Sequence, residues 1–245
     1  MVKIGVIGVG HLGKIHIRCI RDISGYEIVG IVDVDSEQAR QVSEEYDLPV
    51  FSSVEALLDQ VDAVSIVTPT TAHYDVARIA IEKGKHVFIE KPVTDTSEKG
   101  RLLQEYASRQ GVKVQVGHVE RFNPALLALK DEIINPAFVE VHRLANYNPR
   151  SNDVSVIQDL MIHDLDILLH FIDSPVREVR ANGLSIISPT EDICSARIEF
   201  ENGAVANVTA SRISVKNMRK MRLFQHNAYI ALDFLEKKSQ VSRID

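Results

Sequence analysis

Apolar residues fall into a regular alternation over the first 117 positions. Runs at 2–7, 26–32, 63–67, 86–89 and 113–116 are rich in Val and Ile, and each reads as a buried strand. A shorter run at 49–51 reads as a strand leading into the next helix. Between them, the stretch after Gly10 and those at 36–46, 53–58, 74–83 and 97–109 read as helices, and Gly111 ends the last of these. Strands alternating with helices predict a parallel sheet with right-handed crossovers.

The pattern changes after Gly117. Residues 123–133 read as one helix, 137–147 as a long strand and 148–153 as a loop. A helix is expected over 158–172, closed by Asp173-Ser174-Pro175. Strands follow at 179–187, 194–200, 204–213, 219–225, 229–235 and 240–244. Glu201-Asn202-Gly203 sits between two alternating runs and predicts a hairpin. The expected fold class is α/β, with a parallel sheet and helices on both faces over 1–118. An α+β domain with a mostly antiparallel open sheet is expected over 119–245.

Composition narrows the classes of partner. A chain of 245 residues with 45% hydrophobic and 25% charged residues is ordinary for a globular protein. A net charge of −6 argues against nucleic acid and against an anionic membrane surface. No apolar run reaches the roughly 18 residues of a membrane span. The two cysteines, Cys19 and Cys194, form no CxxC, which suits a reducing compartment. The N-terminal run lacks a signal-peptide layout, so a cytoplasmic location is expected.

The chemistry starts at Gly8-Val9-Gly10-His11-Leu12-Gly13, a G-x-G-x-x-G between a strand and a helix. Gly8 allows the tight turn, Gly10 lets a pyrophosphate approach the backbone, and Gly13 lets the helix pack against the strand. The N–H groups at His11, Leu12 and Gly13 would face the phosphates. Asp33 closes the second strand about 20 residues later, where a carboxylate meets ribose hydroxyls and repels a 2′-phosphate. NAD is therefore expected over NADP. Asp35 reads as the cap of the next helix.

Three clusters lie at strand ends, where a parallel sheet places ligands. They are Thr68-Pro69 with His73, Glu90-Lys91-Pro92, and Gly117-His118-Val119-Glu120-Arg121-Phe122-Asn123-Pro124. Arg121 is either an anion-binding fork for substrate or one half of an ion pair with Glu120. Lys91-Pro92 is expected to be a cis bond, which X–Pro peptides adopt at small cost. Along 158–172, Asp159, His163, Asp166 and His170 form a narrow polar stripe at helical spacing. A solvated face, a metal site and acid–base chemistry by Asp159 and His163 are three readings of it.

Taken together, these residues resemble the Gfo/Idh/MocA family of NAD(P)-dependent sugar and cyclitol oxidoreductases. The likeness rests on the glycine fingerprint, Asp33, Thr68-Pro69 with His73, Glu90-Lys91-Pro92, and Asp159-Leu160-Met161-Ile162-His163-Asp164-Leu165-Asp166. It implies an N-terminal Rossmann domain, a C-terminal open sheet used for homo-oligomer contacts, and a site between the two. By that resemblance Lys91, Asp159 and His163 are catalytic, and Asp166 supports them. The cofactor would meet Gly8, Gly10, His11, Leu12, Gly13, Asp33, Thr68, Pro69, His73, Glu90 and Lys91. The substrate would meet Arg121, Asn123, Lys91 and His163, and no metal is implied. Residues 116–124 resemble those of bacterial UDP-N-acetylglucosamine 3-dehydrogenases, so the expected partner is a sugar or nucleotide sugar.

Two features depart from the family. Met161 stands where many members have glycine, which bears on substrate fit. Family chains are also longer, so the last sheet strands and a closing helix are expected to be missing. A nucleotide-binding sensor without turnover, and a reductase of a non-sugar carbonyl or pigment, are the rival readings.

Overall fold

The computed structural model describes residues 1–148 and 154–243. The chain divides into two compact units, Met1–Gly117 and His118–Asp245.

In the first unit, β1 (Val2–Ile7), α1 (His11–Arg21), β2 (Tyr26–Val32), α2 (Ser36–Tyr46), α3 (Val54–Leu58) and β3 (Ala63–Ile66) alternate as the periodicity predicts. They continue through α4 (Thr70–Glu82), β4 (His86–Ile89), α5 (Ser97–Gln110) and β5 (Val114–Val116). The sheet order is β2-β1-β3-β4-β5, and every pairing is parallel. Alternate strand residues feed two cores. Val6 and Ile31 pack with Ile17 of α1 and Val42 of α2. Ile7, Val32, Ile66 and Ile89 pack with Leu57, Ala77, Ile81 and Leu103 of α3, α4 and α5. Both faces are covered, as a parallel sheet requires. Gly13 costs α1 roughly 1 kcal/mol of helix propensity. Full burial of Ile17 is worth about 1.5–3 kcal/mol, so packing decides the helix.

The 49–51 strand is reduced to one bridge. Val50 pairs with Ile31, whose N–H donates to Pro49 O and whose O accepts from Phe51 N. Pro49 has no N–H to extend the ladder.

The second unit carries a 3₁₀ turn (Val119–Phe122), α6 (Pro124–Leu127), β6 (Phe138–Leu144), a π-helical turn (Ile157–Met161) and α7 (Ile162–Phe171). β7 (Val176–Leu184), β8 (Ile193–Phe200), β9 (Val205–Ser211), β10 (Met218–Gln225), β11 (Ala228–Asp233) and β12 (Lys238–Arg243) follow. They form a sheet in the order β12-β11-β10-β6-β9-β8-β7, antiparallel except where β6 meets β9. Val139, Val141, Phe200, Val208, Leu223 and Ile230 line one face and pack on Ala125, Met161, Ile167 and Leu168.

Three expected boundaries move. The helix over 123–133 keeps only α6, which ends at Leu127; further on, Gln225 accepts from Asn135 N and donates to Ile133 O. The strand expected over 179–187 ends at Leu184. The N–H groups of Ile186, Ile187 and Ser188 all donate to Asp192 Oδ2 instead. The strand expected over 229–235 stops at Asp233, whose Oδ1 captures the N–H groups of Leu235 and Glu236. Most of the loop at 148–153 lies outside the described residues. No helix among them is long and apolar enough to cross a membrane.

Candidate active site

The turn between β1 and α1 is shaped by its glycines. Gly8 has φ +87, and a Cβ there would lie 2.7 Å from the backbone of Val67 and Thr68. A Cβ on Gly13 would lie 2.1 Å from Gly8 O. Above Gly10 a Cβ would meet nothing within 4 Å. Gly10 caps α1 without a side-chain bond, and the first turn holds no acidic residue. His11 and Leu12 are exposed there. Uncovered amides, a helix N-terminus and open space fit a dinucleotide pyrophosphate.

Asp33 follows β2 and is held beside this turn. Its Oδ2 accepts from Val9 N at 2.7 Å and its Oδ1 from Asp35 N at 3.0 Å. Each oxygen keeps a lone pair for a ribose hydroxyl. Asp35 caps α2 by accepting from the N–H groups of Glu37 and Gln38, as expected.

At the end of β3, Thr68 Oγ1 is buried without a hydrogen-bond partner, and exposed Pro69 caps α4. This orphaned hydroxyl suits the rim of a ligand site. His73 is held between two loops. It is 1% exposed, with Nδ1 2.8 Å from Pro92 O and Nε2 2.9 Å from Thr68 O. Both ring nitrogens bond to backbone, one in each loop. Glu90 is likewise engaged inside the protein: Oε1 lies 3.1 Å from His16 Nε2, and Oε2 accepts from Lys91 N at 3.2 Å. Lys91 is half-buried, and the Lys91–Pro92 bond is cis.

In the second unit, Asp159 lies in the π-helical turn and His163 begins the α-helix beyond it. The Ile162 N–H reaches back five residues to Ile157 O. The wider turn breaks the uniform spacing assumed for the stripe. His163 and Asp159 are half-buried, while His170 is exposed. Met161 points into the core at 2% exposure.

Arg121 is bidentate on Asp166, with Nε and Nη2 each 2.6 Å from a carboxylate oxygen. This corrects the ion pair expected with Glu120 and fills the fork expected for an anionic substrate group. His118 Nδ1 lies 3.7 Å from the same carboxylate. Glu120 pairs with Arg143 at 3.1 Å, and Arg143 is bidentate on Asp164 at 2.7 and 2.8 Å. Asn123 caps α6, its Oδ1 accepting from Ala125 N at 3.0 Å, and its Nδ2 donates to Phe234 O at 3.1 Å. Among the described residues, no group of three or more His, Cys, Asp or Glu could hold a metal.

Sequence reasoning missed His16 and the Asp164–Arg143 pair. Asp164 had a signal, because it sits among Leu160, Ile167 and Leu168 on the apolar side of its helix.

Two family profiles match the chain. One, described as "Oxidoreductase family, NAD-binding Rossmann fold", covers residues 2–118. The other, "GFO/IDH/MocA C-terminal domain", covers residues 137–230. The chain is 41% identical over 235 residues to UDP-N-acetylglucosamine 3-dehydrogenase of Acidithiobacillus ferrooxidans, spanning 96% of this chain and 74% of that one. A solved structure of UDP-N-acetylglucosamine 3-dehydrogenase GnnA from that organism superimposes with a TM-score of 0.92 at 38% identity. It covers 100% of this chain and 82% of that one. The chain is also 32% identical over 232 residues to scyllo-inositol 2-dehydrogenase (NAD(+)) of Bacillus subtilis, spanning 87% and 68% of the two.

Proposed function

The chain belongs to the Gfo/Idh/MocA family of NAD-binding oxidoreductases, and from that premise we propose that it oxidises a ring hydroxyl of a nucleotide-linked amino sugar. The carrying observation is the 41% identity over 96% of this chain to a UDP-N-acetylglucosamine 3-dehydrogenase. The open cradle at Gly8, Gly10 and Gly13, with Asp33 beside it, supports NAD as the cofactor. NAD, when bound, supplies the hydride acceptor.

We assign cofactor binding to residues 1–118, and substrate binding and subunit contacts through the open sheet to 119–245. Lys91 donates a hydrogen bond to the reacting oxygen and stabilises alkoxide charge as it develops. His163 takes the hydroxyl proton, and Asp159 orients it. The proton thus stays on the protein while the two electrons leave as hydride. The free thiols of Cys19 and Cys194 suit the cytoplasm, where NAD is supplied.

The test is NADH formation from NAD⁺ with a panel holding UDP-N-acetylglucosamine, other nucleotide sugars and scyllo-inositol. Turnover of UDP-N-acetylglucosamine is expected, with Lys91→Ala lowering kcat by about a hundredfold or more. Turnover of inositols alone would overturn the substrate, and near-normal turnover by Lys91→Ala would overturn the role of Lys91.

A further inference from the structure

His16 lies on α1, a turn beyond the phosphate cradle, and faces the sheet. Its ring packs edge-on to Phe88 at 5.5 Å between centroids. Nδ1 is 2.9 Å from Ser65 Oγ, and Nε2 is 3.1 Å from Glu90 Oε1. Ser65 and Phe88 are the β3 and β4 residues that point opposite to the core positions Val64, Ile66, Val87 and Ile89. A histidine here therefore takes a place on the sheet that an apolar residue would ordinarily fill.

Glu90 joins His16 to the tripeptide that carries Lys91. Its second oxygen accepts from Lys91 N at 3.2 Å, and its own N–H donates to Ile66 O at 3.0 Å. Room for this carboxylate exists because residue 117 is glycine. A Cβ on Gly117 would lie 2.8 Å from Glu90 Oε1. Beyond the lysine, Pro92 O is 2.8 Å from Nδ1 of buried His73. The tripeptide is thus held on the Glu90 side from α1 and on the Pro92 side from α4.

We propose that His16 is a positioning residue for Lys91, acting through the Glu90 carboxylate. The inference rests on the reading of Lys91 given above. An ionised Glu90 only accepts hydrogen bonds, so His16 Nε2 carries the proton and Ser65 Oγ fills Nδ1. The carboxylate bonded to Lys91 N is then anchored to the same helix whose N-terminus faces the phosphates. Without His16, the Glu90 carboxylate is tied only to the peptide it should hold. Displacement of a reacting group by about 1 Å can cost a hundredfold in rate.

The experiment uses the full chain with UDP-N-acetylglucosamine and NAD⁺, and compares His16→Leu, His16→Gln, Gly117→Ala and Lys91→Ala. It reads kcat and KM, NADH affinity by fluorescence, and the rate of Lys91 acetylation by acetic anhydride without cofactor. Acetylation is followed by peptide mass spectrometry, with Lys85 and Lys113 as internal references. His16→Leu is expected to lower kcat about ten- to a hundredfold, with NADH affinity within about threefold of the parent. Its Lys91 acetylation rate should change at least about twofold against the references. Glutamine offers an N–H at the end of its side chain, so His16→Gln should restore most of both. Gly117→Ala pushes the same carboxylate from the other side and should reproduce both losses. If His16→Leu fails to fold, Gly117→Ala decides. If UDP-N-acetylglucosamine is not turned over, the acetylation rate decides. Unchanged kcat and acetylation in His16→Leu, beside an inactive Lys91→Ala, overturns the role of His16 alone. An active Lys91→Ala overturns the reading beneath it as well.

Discussion

Arg143 and Asp164 form a doubly hydrogen-bonded ion pair in which each side chain is 1% exposed. Burying two charges is costly, and the pair survives because its geometry is bidentate and Glu120 adds a bond to Arg143 at 3.1 Å. Removing one partner leaves the other in an apolar surround. Asp164→Ala should cost about 3 kcal/mol, the low end of the range for broken buried pairs, because Glu120 still holds Arg143. The double variant Arg143→Met with Asp164→Leu should recover most of that. Urea unfolding of the three proteins checks both statements; a double variant no more stable than Asp164→Ala would refute the account.

Asp192 sets a pH dependence at low pH. Its side chain is fully buried, and burial alone would raise its carboxyl. Hydrogen bonds from Ser188 Oγ and the backbone of Ser188, Ile187 and Ile186 outweigh burial and hold it well below the usual carboxylate range. Its contribution to stability is therefore fully present above the unfolded value near pH 4 and is lost as pH falls further. Asp192→Asn cannot titrate. The gap in urea midpoint between parent and Asp192→Asn should be constant from pH 7 to about 5 and shrink below about pH 4. A gap that persists unchanged to pH 3 counts against this.

The cofactor turn can be probed at two positions. Asp33→Ala removes acceptors for the ribose hydroxyls. Hydrogen bonds to a charged group are worth about 1.5–3 kcal/mol, so NAD should bind ten- to a hundredfold more weakly and the preference over NADP should narrow. Gly13→Ala places a methyl 2.1 Å from Gly8 O, so backbone must shift and NAD binding should be lost. Titration of both cofactors against the parent and the two variants settles this. Tighter NADP than NAD in the parent would contradict the role of Asp33.

The thiols should react unequally. Cys19 is exposed, whereas Cys194 is 2% exposed and burial pushes its thiol up. A disulfide reagent should modify one thiol in the native protein at pH 8 and both in denaturant. Rapid modification of two thiols without denaturant contradicts the packing of β8.

Elements whose causes are local were legible in the amino-acid order. Strand–helix alternation to Gly117 yields the parallel sheet, because period two and period 3.6 are read residue by residue. Gly8, Gly10 and Gly13 reveal the cradle, because their spacing between a strand and a helix is read within six residues. Asp35 as a cap and Asn202-Gly203 as a hairpin turn belong to the same class. Tertiary structure alone decided what depends on partners far along the chain. Asp192 ends β7 by taking three amides, and Gln225 fastens Ile133 and Asn135 from about ninety residues away. Arg121 meets Asp166 rather than its neighbour Glu120, and Asn123 serves Phe234. His73 carries the right motif spacing, yet both its nitrogens bond to backbone of the first unit. Side-chain identity declares what a group can bond to; only the folded chain brings a partner within about 3 Å of it, and hydrogen bonds act only at that range.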